Sequence, residues 1–155
     1  MNTPRTRCDA LTFLKRHHTG VIATVDQNTI PHASTVHYWV DDNFNIYFVT
    51  LPSSRKYKAL TAHPHVAFTV TREDTPQTVQ IEGIAKDVTL DSDAQKKKGQ
   101  IMAIMDTNPF FFAPITKLDP EKKVVIVIQP TWIRWADYAF SKYGTARVFK
   151  EVQMA

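Results

Sequence analysis

The chain has 155 residues, a single cysteine, and 19 basic against 15 acidic side chains, which gives a formal net charge of +4. This length predicts one domain over residues 1–155, with a core that needs neither a metal nor a disulfide, and the lone Cys8 cannot form an internal one. The modest charge argues against a nucleic-acid partner, and the longest apolar run, Val124 to Ile128, is far below the roughly 20 residues of a membrane helix. With no signal-peptide pattern after Met1, we expect a soluble, cytoplasmic protein.

The first part of the chain is predicted to be a helix followed by a β-meander. Apolar residues at near-helical spacing predict the helix from Asp9 to His18, ending at Gly20. Small, β-branched and aromatic segments then predict three strands, which are Gly20–Val25, Pro31–Val40 and Asn45–Thr50. Polar turn residues separate these strands, so neighbouring strands are expected to pair antiparallel.

The rest of the chain is predicted to mix strands and helices. The elements are, in chain order, a basic helix Ser54–Ala62, strands His65–Thr71 and Thr78–Leu90, a helix from a capping Asp91 to Met105, and a strand Val124–Ile128. Gly83 is expected at a bend or bulge of its strand, and Pro130 is expected to end the last strand. The aromatic run Phe110 to Phe112 is costly to expose and is predicted to be buried.

One stretch, Ile46 to Leu60, carries the clearest functional signal. An apolar strand passes through a hydroxyl- and proline-containing turn into a basic helix start. Thr50, Ser53 and Ser54 offer hydroxyl groups, the first helical turn offers unpaired N–H groups, and Arg55 and Lys56 add charge-assisted hydrogen bonds, so the stretch can hold a phosphate. The alternative is an ordinary helix capped by Ser53 or Ser54, with its basic side chains in solvent.

Three further segments accompany this stretch, which are Gly20–Val36 upstream and His63–Val70 and Val79–Ala85 downstream. The order of all four segments resembles the pyridoxamine phosphate oxidase-like family of FMN-binding split barrels, and the likeness extends over Leu11 to Val88. The resemblance implies a mainly β fold, an antiparallel split β-barrel with peripheral helices. It also implies FMN as cofactor and a homodimer with two equivalent sites at the subunit interface.

The resemblance further implies which residues bind the cofactor. Those residues are Ser54, Arg55 and Lys56 at the phosphate, Thr50 where the strand end meets the flavin, Ser34, Thr35 and Val36 along the ring, Thr78 and Gln80 near the pyrimidine edge or phosphate, and a late aromatic such as Trp132 or Trp135 from the partner subunit. For the strand residues, the alternative is that they are polar members of half-exposed strands. For the tryptophans it is core or interface packing.

The chain also departs from true pyridoxamine phosphate oxidases. Ser34 and Trp39 stand where those enzymes carry basic residues, and Arg134 is only loosely similar to their C-terminal Arg-and-His motif. We therefore expect an FMN-dependent oxidoreductase of unassigned substrate that transfers two electrons through the flavin. No catalytic side chain is assigned. His32 and His37 flank the ring-lining strand, but an even and an odd position face opposite sides of a regular strand.

Several alternatives remain open within and beyond this family. One is a deazaflavin-dependent reductase, which would be favoured by a basic groove extending past Arg55 and Lys56 through Lys58 and Arg72. A flavin-binding protein without turnover and a haem-binding relative with a histidine ligand are the other two. The six histidines lack the companions of a metal site, and the serines lack the Gly-x-Ser-x-Gly turn of a nucleophile, so no metal and no covalent catalysis are expected.

Overall fold

The structure is a computed structural model and describes residues 4–107 and 122–154. Its strands are β1 (Thr19–Val25), β2 (Pro31–Val40), β3 (Ile46–Thr50), β4 (His65–Arg72), β5 (Gln77–Asp87), β6 (Val124–Asp137) and β7 (Phe149–Glu151). Its helices are α1 (Pro4–Arg16), α2 (Arg55–Ala62), α3 (Ala94–Thr107) and α4 (Thr145–Val148), with a 3-10 helix at Tyr138–Tyr143.

The strands form one antiparallel sheet that closes on itself. They lie in the order β3-β2-β1-β4-β5-β6-β7, and a further pairing of β3 with β6 closes the first six into a barrel. Closure leaves few exposed strand edges, and β7 extends the sheet beside the far end of β6. The predicted mainly β barrel with peripheral helices is thus confirmed.

Two apolar clusters hold the barrel and its helices together. Alternate strand residues fill the interior, where Tyr38 and Phe68 meet edge to face and the Tyr38 hydroxyl donates to the Leu14 carbonyl of α1 over 2.8 Å. On the outside, Ile101 of α3 packs with Tyr47 and other residues of β3 and β6. As a result β3 is buried on both faces, whereas the outer face of β1 and β4 stays exposed.

Element boundaries differ from the predictions mainly at the helices. Helix α1 begins at Pro4 rather than Asp9, and α3 begins at Ala94 because Asp91 lies in a turn whose carbonyl accepts the Ala94 N–H. Strand β5 ends at Asp87, three residues before the predicted Leu90. The predicted burial of Phe110 to Phe112 falls outside the described residues.

The prediction that Pro130 ends the last strand is wrong. Strand β6 continues to Asp137, because Pro130 lies at a bulge where Thr131 is the extra residue between the pairs Glu82–Trp132 and Gly83–Pro130. A proline is tolerated there since a bulge needs no ladder hydrogen bond from that N–H group. The irregularity predicted at Gly83 is therefore confirmed, but its partner strand was missed.

No helix within residues 4–107 and 122–154 is long and apolar enough to cross a membrane.

Candidate functional site

The turn after β3 leads into helix α2, and hydroxyl groups line the start of this helix. Strand β3 ends at Thr50, and the Ser54 N–H donates to the Leu51 carbonyl, which reverses the chain into α2. Ser54 is the N-cap, since its Oγ accepts the Tyr57 N–H over 3.2 Å. The Thr50 Oγ1 lies 3.0 Å from the same Oγ. The capped helix that the sequence offered as an alternative is therefore present, and it uses part of the hydrogen-bonding capacity of Ser54.

Capping alone does not account for the two cations that follow. Arg55 and Lys56 open α2, where the helix dipole is positive, and the first turn holds no acidic residue to offset them. Arg55 is exposed, but Lys56 is half-buried, and burial holds the pKa of its ammonium group below the ordinary value. No carboxylate or hydrogen-bond acceptor pairs with Lys56 among the described residues. We call Thr50, Ser54, Arg55 and Lys56 the anion corner, because an anion would relieve this unbalanced charge.

The ring-lining candidates on β2 are split between two faces. Tyr38 pairs with Phe48, so the antiparallel register brings Val36 level with Thr50 at the anion corner. Val36 belongs to the barrel core and is only 7% exposed, so a ligand can reach it only through its backbone. Ser34 lies on the same inward face, opposite Ile22, whereas Thr35 points outward and is exposed.

Thr35 and Gln80 share one row on the outside of the barrel. The register joins Thr35 to Val21, Val21 to Thr69, Thr69 to Gln80 and Gln80 to Arg134, and we call these five residues the outer row. Neighbouring strands lie about 4.8 Å apart, so Thr35 and Gln80 are separated by roughly 14 Å across three spacings. The next row holds three exposed alanines, Ala33, Ala23 and Ala67.

Arg134 fixes the side chain of Gln80. Its Nε and one terminal nitrogen donate to Gln80 Oε1 at 3.0 and 2.5 Å, and its guanidinium lies over the rings of Trp132 and Phe149 at 5.5 and 4.8 Å. Oε1 is occupied in this way, whereas the amide nitrogen of Gln80 has no acceptor within the described ranges.

Thr78 and the two tryptophans differ in how accessible they are. The Thr78 hydroxyl is buried and donates to the Val70 carbonyl, which leaves it little capacity for a ligand. Trp132 is half-exposed on the outer face, where its Nε1 donates to Glu151. Trp135 lies in the core, 5% exposed and edge-on to Phe13, so it cannot reach a partner subunit's site.

The histidine candidates occupy opposite sides of β2. His32 contacts Asp26 at 3.1 Å, while His37 is 5% exposed and lies near the Thr19 hydroxyl. Burial lowers the pKa of His37, so its ring is neutral near pH 7. Within the described ranges, no three His, Cys, Asp or Glu side chains form a group that would hold a metal ion.

The basic groove considered for a deazaflavin does not form within one chain. Arg72 ends β4 and pairs with Asp74 at 2.9 Å. Helix α2 instead contacts the opposite end of the sheet, where Tyr57 donates to Asp87. Arg72 thus lies a strand length away from the anion corner.

Comparison with known proteins agrees with this architecture. The family model described as pyridoxamine 5'-phosphate oxidase matches residues 9–136. The chain belongs to this family. All residues of the anion corner and of the outer row lie within the part of the chain that this pyridoxamine 5'-phosphate oxidase family model matches. No curated protein matches the chain.

Solved structures with the same fold carry different printed functions. A pyridoxamine 5'-phosphate oxidase-related, FMN-binding protein from Nostoc punctiforme is 15% identical, with a TM-score of 0.57 over 86% of this chain and 79% of that one. An F420 reductase is 24% identical, with a TM-score of 0.63 over 79% and 93%. A heme-binding protein from Mycobacterium smegmatis is 15% identical, with a TM-score of 0.71 over 99% of this chain and 60% of that one. These similarities establish the fold that the oxidase-family chain adopts.

Sequence reasoning missed the role of Arg134 and the alanine row. The alternation along each strand could have placed these residues on the outer face of the sheet. A single sequence, however, does not show which strands are neighbours. Gln80 and Arg134 are 54 residues apart in the chain and meet only through the pairing of β5 with β6.

Proposed function

We propose that this member of the pyridoxamine 5'-phosphate oxidase family is an FMN-binding flavoprotein and an oxidoreductase of unassigned substrate. The single observation that carries the proposal is the half-buried Lys56, which lies beside Arg55 at the positive end of α2 and has no partner within residues 4–107 and 122–154. A phosphate monoester supplies the missing negative charge and can accept hydrogen bonds from both side chains and from the first-turn N–H groups.

The outer row suits the rest of the cofactor. Thr35 and Val21 offer a flat surface of small and branched side chains, and the amide nitrogen of Gln80 is free to donate to a ring carbonyl because Arg134 holds its oxygen. When bound, FMN supplies the two-electron chemistry, and the protein positions it. The FMN-binding neighbour with the same fold supports this choice of cofactor.

The position of Trp39 argues against pyridoxine phosphate as substrate. Trp39 packs against Tyr47 and the cluster beneath α3, so apolar packing occupies a position where the true oxidases place a basic residue. Ser34 likewise offers no cation. We expect no rapid formation of pyridoxal phosphate from pyridoxamine phosphate or pyridoxine phosphate by the FMN-loaded protein. Turnover on either compound would overturn this substrate assignment.

An absorbance spectrum tests the cofactor directly. We expect the purified protein, as isolated or after addition of FMN and gel filtration, to show a protein-bound flavin spectrum and to release FMN on denaturation. NADH, NADPH and oxidised acceptors can then be screened for turnover. A Soret band would identify the cofactor as haem instead of FMN, and a released deazaflavin would support the reductase alternative. A bound flavin that no reductant reduces would indicate a flavin-binding protein without turnover.

We also propose that two copies pair through the outer face of β1, β2 and β4. Ala33, Ala23 and Ala67 lie side by side there, exposed at the middle of a sheet, and Val21 beside them is 37% exposed. Small side chains on a flat sheet allow close approach of a second surface, and a two-fold pairing places Trp132 of one chain beside the flavin of the other. A reducing cytoplasm is the proposed setting, in keeping with the free thiol of Cys8.

Replacing Ala23 by glutamate is expected to convert the dimer to a monomer. The two-fold axis would bring the new carboxylate close to its own copy in an apolar interface, where like charges are strongly disfavoured. Sedimentation velocity with and without FMN measures the change, and FMN binding should weaken with it. Ala103→Glu on the exposed side of α3 is the matched control and should remain dimeric. A dimeric Ala23→Glu variant would contradict this interface.

A further inference from the structure

A second basic region lies at the end of the barrel away from the anion corner. It is a cleft of about 760 Å³ between α1, the β4–β5 hairpin, the end of β6 and α4. This volume falls within the roughly 300–1,000 Å³ of small-molecule sites. We call it the basic cleft and define it by the side chains Arg16, Arg147 and Lys150 at its rim and Phe13, Trp135 and Phe140 on its apolar wall.

The basic cleft is distinct from the proposed flavin phosphate site. Gln77, at the start of β5, lines the cleft, whereas Asp87, at the other end of the same strand, bonds to Tyr57 of α2. Strand β5 has 11 residues. At about 3.3 Å per residue, its ends are separated by roughly 33 Å. One chain therefore has two separate positively charged regions.

The carboxylates in the basic cleft are already engaged. Asp9 lies 4.0 Å from Arg5 on the same face of α1. Asp137 accepts hydrogen bonds from the Gln77 amide at 2.9 Å and from the Ala139 N–H at 3.0 Å. Neither carboxylate is in an ion pair with the cations at the rim. Asp137 keeps its charge, because its two donors are neutral, but the lining holds four basic and two acidic side chains and so has an excess of positive charge.

In the part of the chain that is described, three of these cations form no ion pair with a carboxylate. Arg16 comes from the last turn of α1, Arg147 from α4, and Lys150 from β7. The guanidinium of Arg147 lies over the ring of Tyr143, at 5.2 Å. Because the three come from separate elements and line the same cleft, their charges add at one place instead of spreading over the surface.

The wall beside these cations is aromatic. Phe13 and Trp135 are 4% and 5% exposed, and their ring centroids lie 5.3 Å apart. Phe140 is 43% exposed, so its ring is open to solvent at the cleft. His17 stacks edge-on to Phe13, and burial followed by the charge of Arg72 lowers its pKa, so it adds a neutral ring near pH 7.

We propose that the basic cleft binds a small organic anion with a flat apolar body, separately from the flavin. The anionic group pairs with Arg16, Arg147 and Lys150, and the body packs on the exposed ring of Phe140, with the buried rings of Phe13 and Trp135 behind it. Arginine favours such a ligand because its planar guanidinium binds carboxylate, sulfonate or phosphate oxygens in pairs. Neither requirement alone selects the ligand, since the rim recognises charge and the wall recognises an apolar ring.

Isothermal titration calorimetry of the full-length protein with naphthalene-2-sulfonate tests the proposal. We expect saturable binding of one molecule per chain, and at least about tenfold weaker binding of the uncharged analogue 2-naphthol. The double variant Arg16→Gln, Lys150→Gln should weaken sulfonate binding by about tenfold or more. The charge-matched control Lys86→Gln, Lys96→Gln changes two exposed lysines outside the cleft and should bind as the unmodified protein does.

Three outcomes would overturn the proposal. They are no saturable binding at millimolar sulfonate, equal binding of the charged and neutral compounds, and equal weakening by the two double variants. Competition with FMN is a further readout: displacement of the sulfonate by stoichiometric FMN would place it in the flavin site and also reject a separate cleft. Circular dichroism confirms that each variant is folded, and FMN affinity should be unchanged in both, so this test is independent of the proposed function.

Discussion

Replacing Lys56 by methionine is expected to weaken FMN binding by about 10–100-fold, because a charge-assisted hydrogen bond to phosphate contributes roughly 1.5–3 kcal/mol. Methionine keeps most of the length and apolar surface of the lysine stem, so the loss reports the ammonium group. Lys56 is chosen over Arg55 because it is half-buried, where an ion pair is less screened by solvent and salt. Quenching of flavin fluorescence during titration measures the dissociation constant.

The same substitution should have the opposite effect on the protein without ligand. Burial lowers the pKa of Lys56 from its ordinary 10.5, so at neutral pH the folded state holds a charge that it disfavours. That penalty is fully present below the lowered pKa, where both states bind the proton. It is lost as the pH rises from the lowered pKa toward 10.5, because the folded state releases the proton while the unfolded chain still binds it. At pH 7 the melting temperature of unliganded Lys56→Met should therefore equal or exceed that of the unmodified protein.

Lys58→Met is the matched control for this pair of measurements. Lys58 is exposed on the same helix, and its substitution should change both FMN affinity and melting temperature little. If Lys56→Met bound FMN as tightly as Lys58→Met does, the phosphate would not lie at the anion corner. If Lys56→Met lost affinity and also melted much lower, the loss would reflect damage to the fold.

Replacing Gly83 by alanine is expected to lower the free energy of unfolding by about 2–3 kcal/mol. A Cβ atom at this position would lie 2.5 Å from the Gln129 carbonyl oxygen and 2.8 Å from a methyl group of Ile128. The first of these atoms is backbone in the paired strand, so relief requires β5 and β6 to separate at the bulge. Because this pairing joins the two longest strands of the barrel, a local shift there is felt throughout the core.

Gly99→Ala makes the same chemical change as Gly83→Ala, but it is expected to raise the free energy of unfolding instead of lowering it. Gly99 lies inside α3, and a Cβ there meets nothing within 4 Å. Alanine should raise the free energy of unfolding by about 0.5–1 kcal/mol through helix propensity and reduced freedom of the unfolded chain. Urea unfolding of both variants at one protein concentration compares them. A Gly83→Ala variant as stable as Gly99→Ala would mean that the bulge does not confine the chain at Gly83.

Local chemistry was readable from the chain where neighbouring residues form the structure. The hydroxyl turn, the N-cap Ser54 and the basic start of α2 lie within one short stretch, and strands β1 to β4 could be placed within a residue or two. Gly83 predicted the bulge, because only glycine permits such a close approach of two backbones. The family resemblance extended this to a closed barrel, which the sheet topology confirms.

Errors arose where distant residues decide the local outcome. Pro130 looked like a strand end, yet its missing N–H group is harmless beside the bulge opposite Gly83. For Trp135 the sequence left open a position beside the partner's flavin and packing in the core, and its inward position on β6 places it in the core. Neither result depends on the residue's own neighbours in sequence, because strand register assigns each side chain to one face.

The sequence by itself determined the mainly β class, the hydroxyl-containing turn before α2 and the charges Arg55 and Lys56, because helix caps, turns and strand alternation are local properties. Only the tertiary structure decided that Lys56 has no partner among the described residues, that Arg134 orients Gln80, and that Arg16, Arg147 and Lys150 line one cleft. The physical reason is that burial and charge balance are set by which distant segments pack together, and strand pairing brings them together across the barrel.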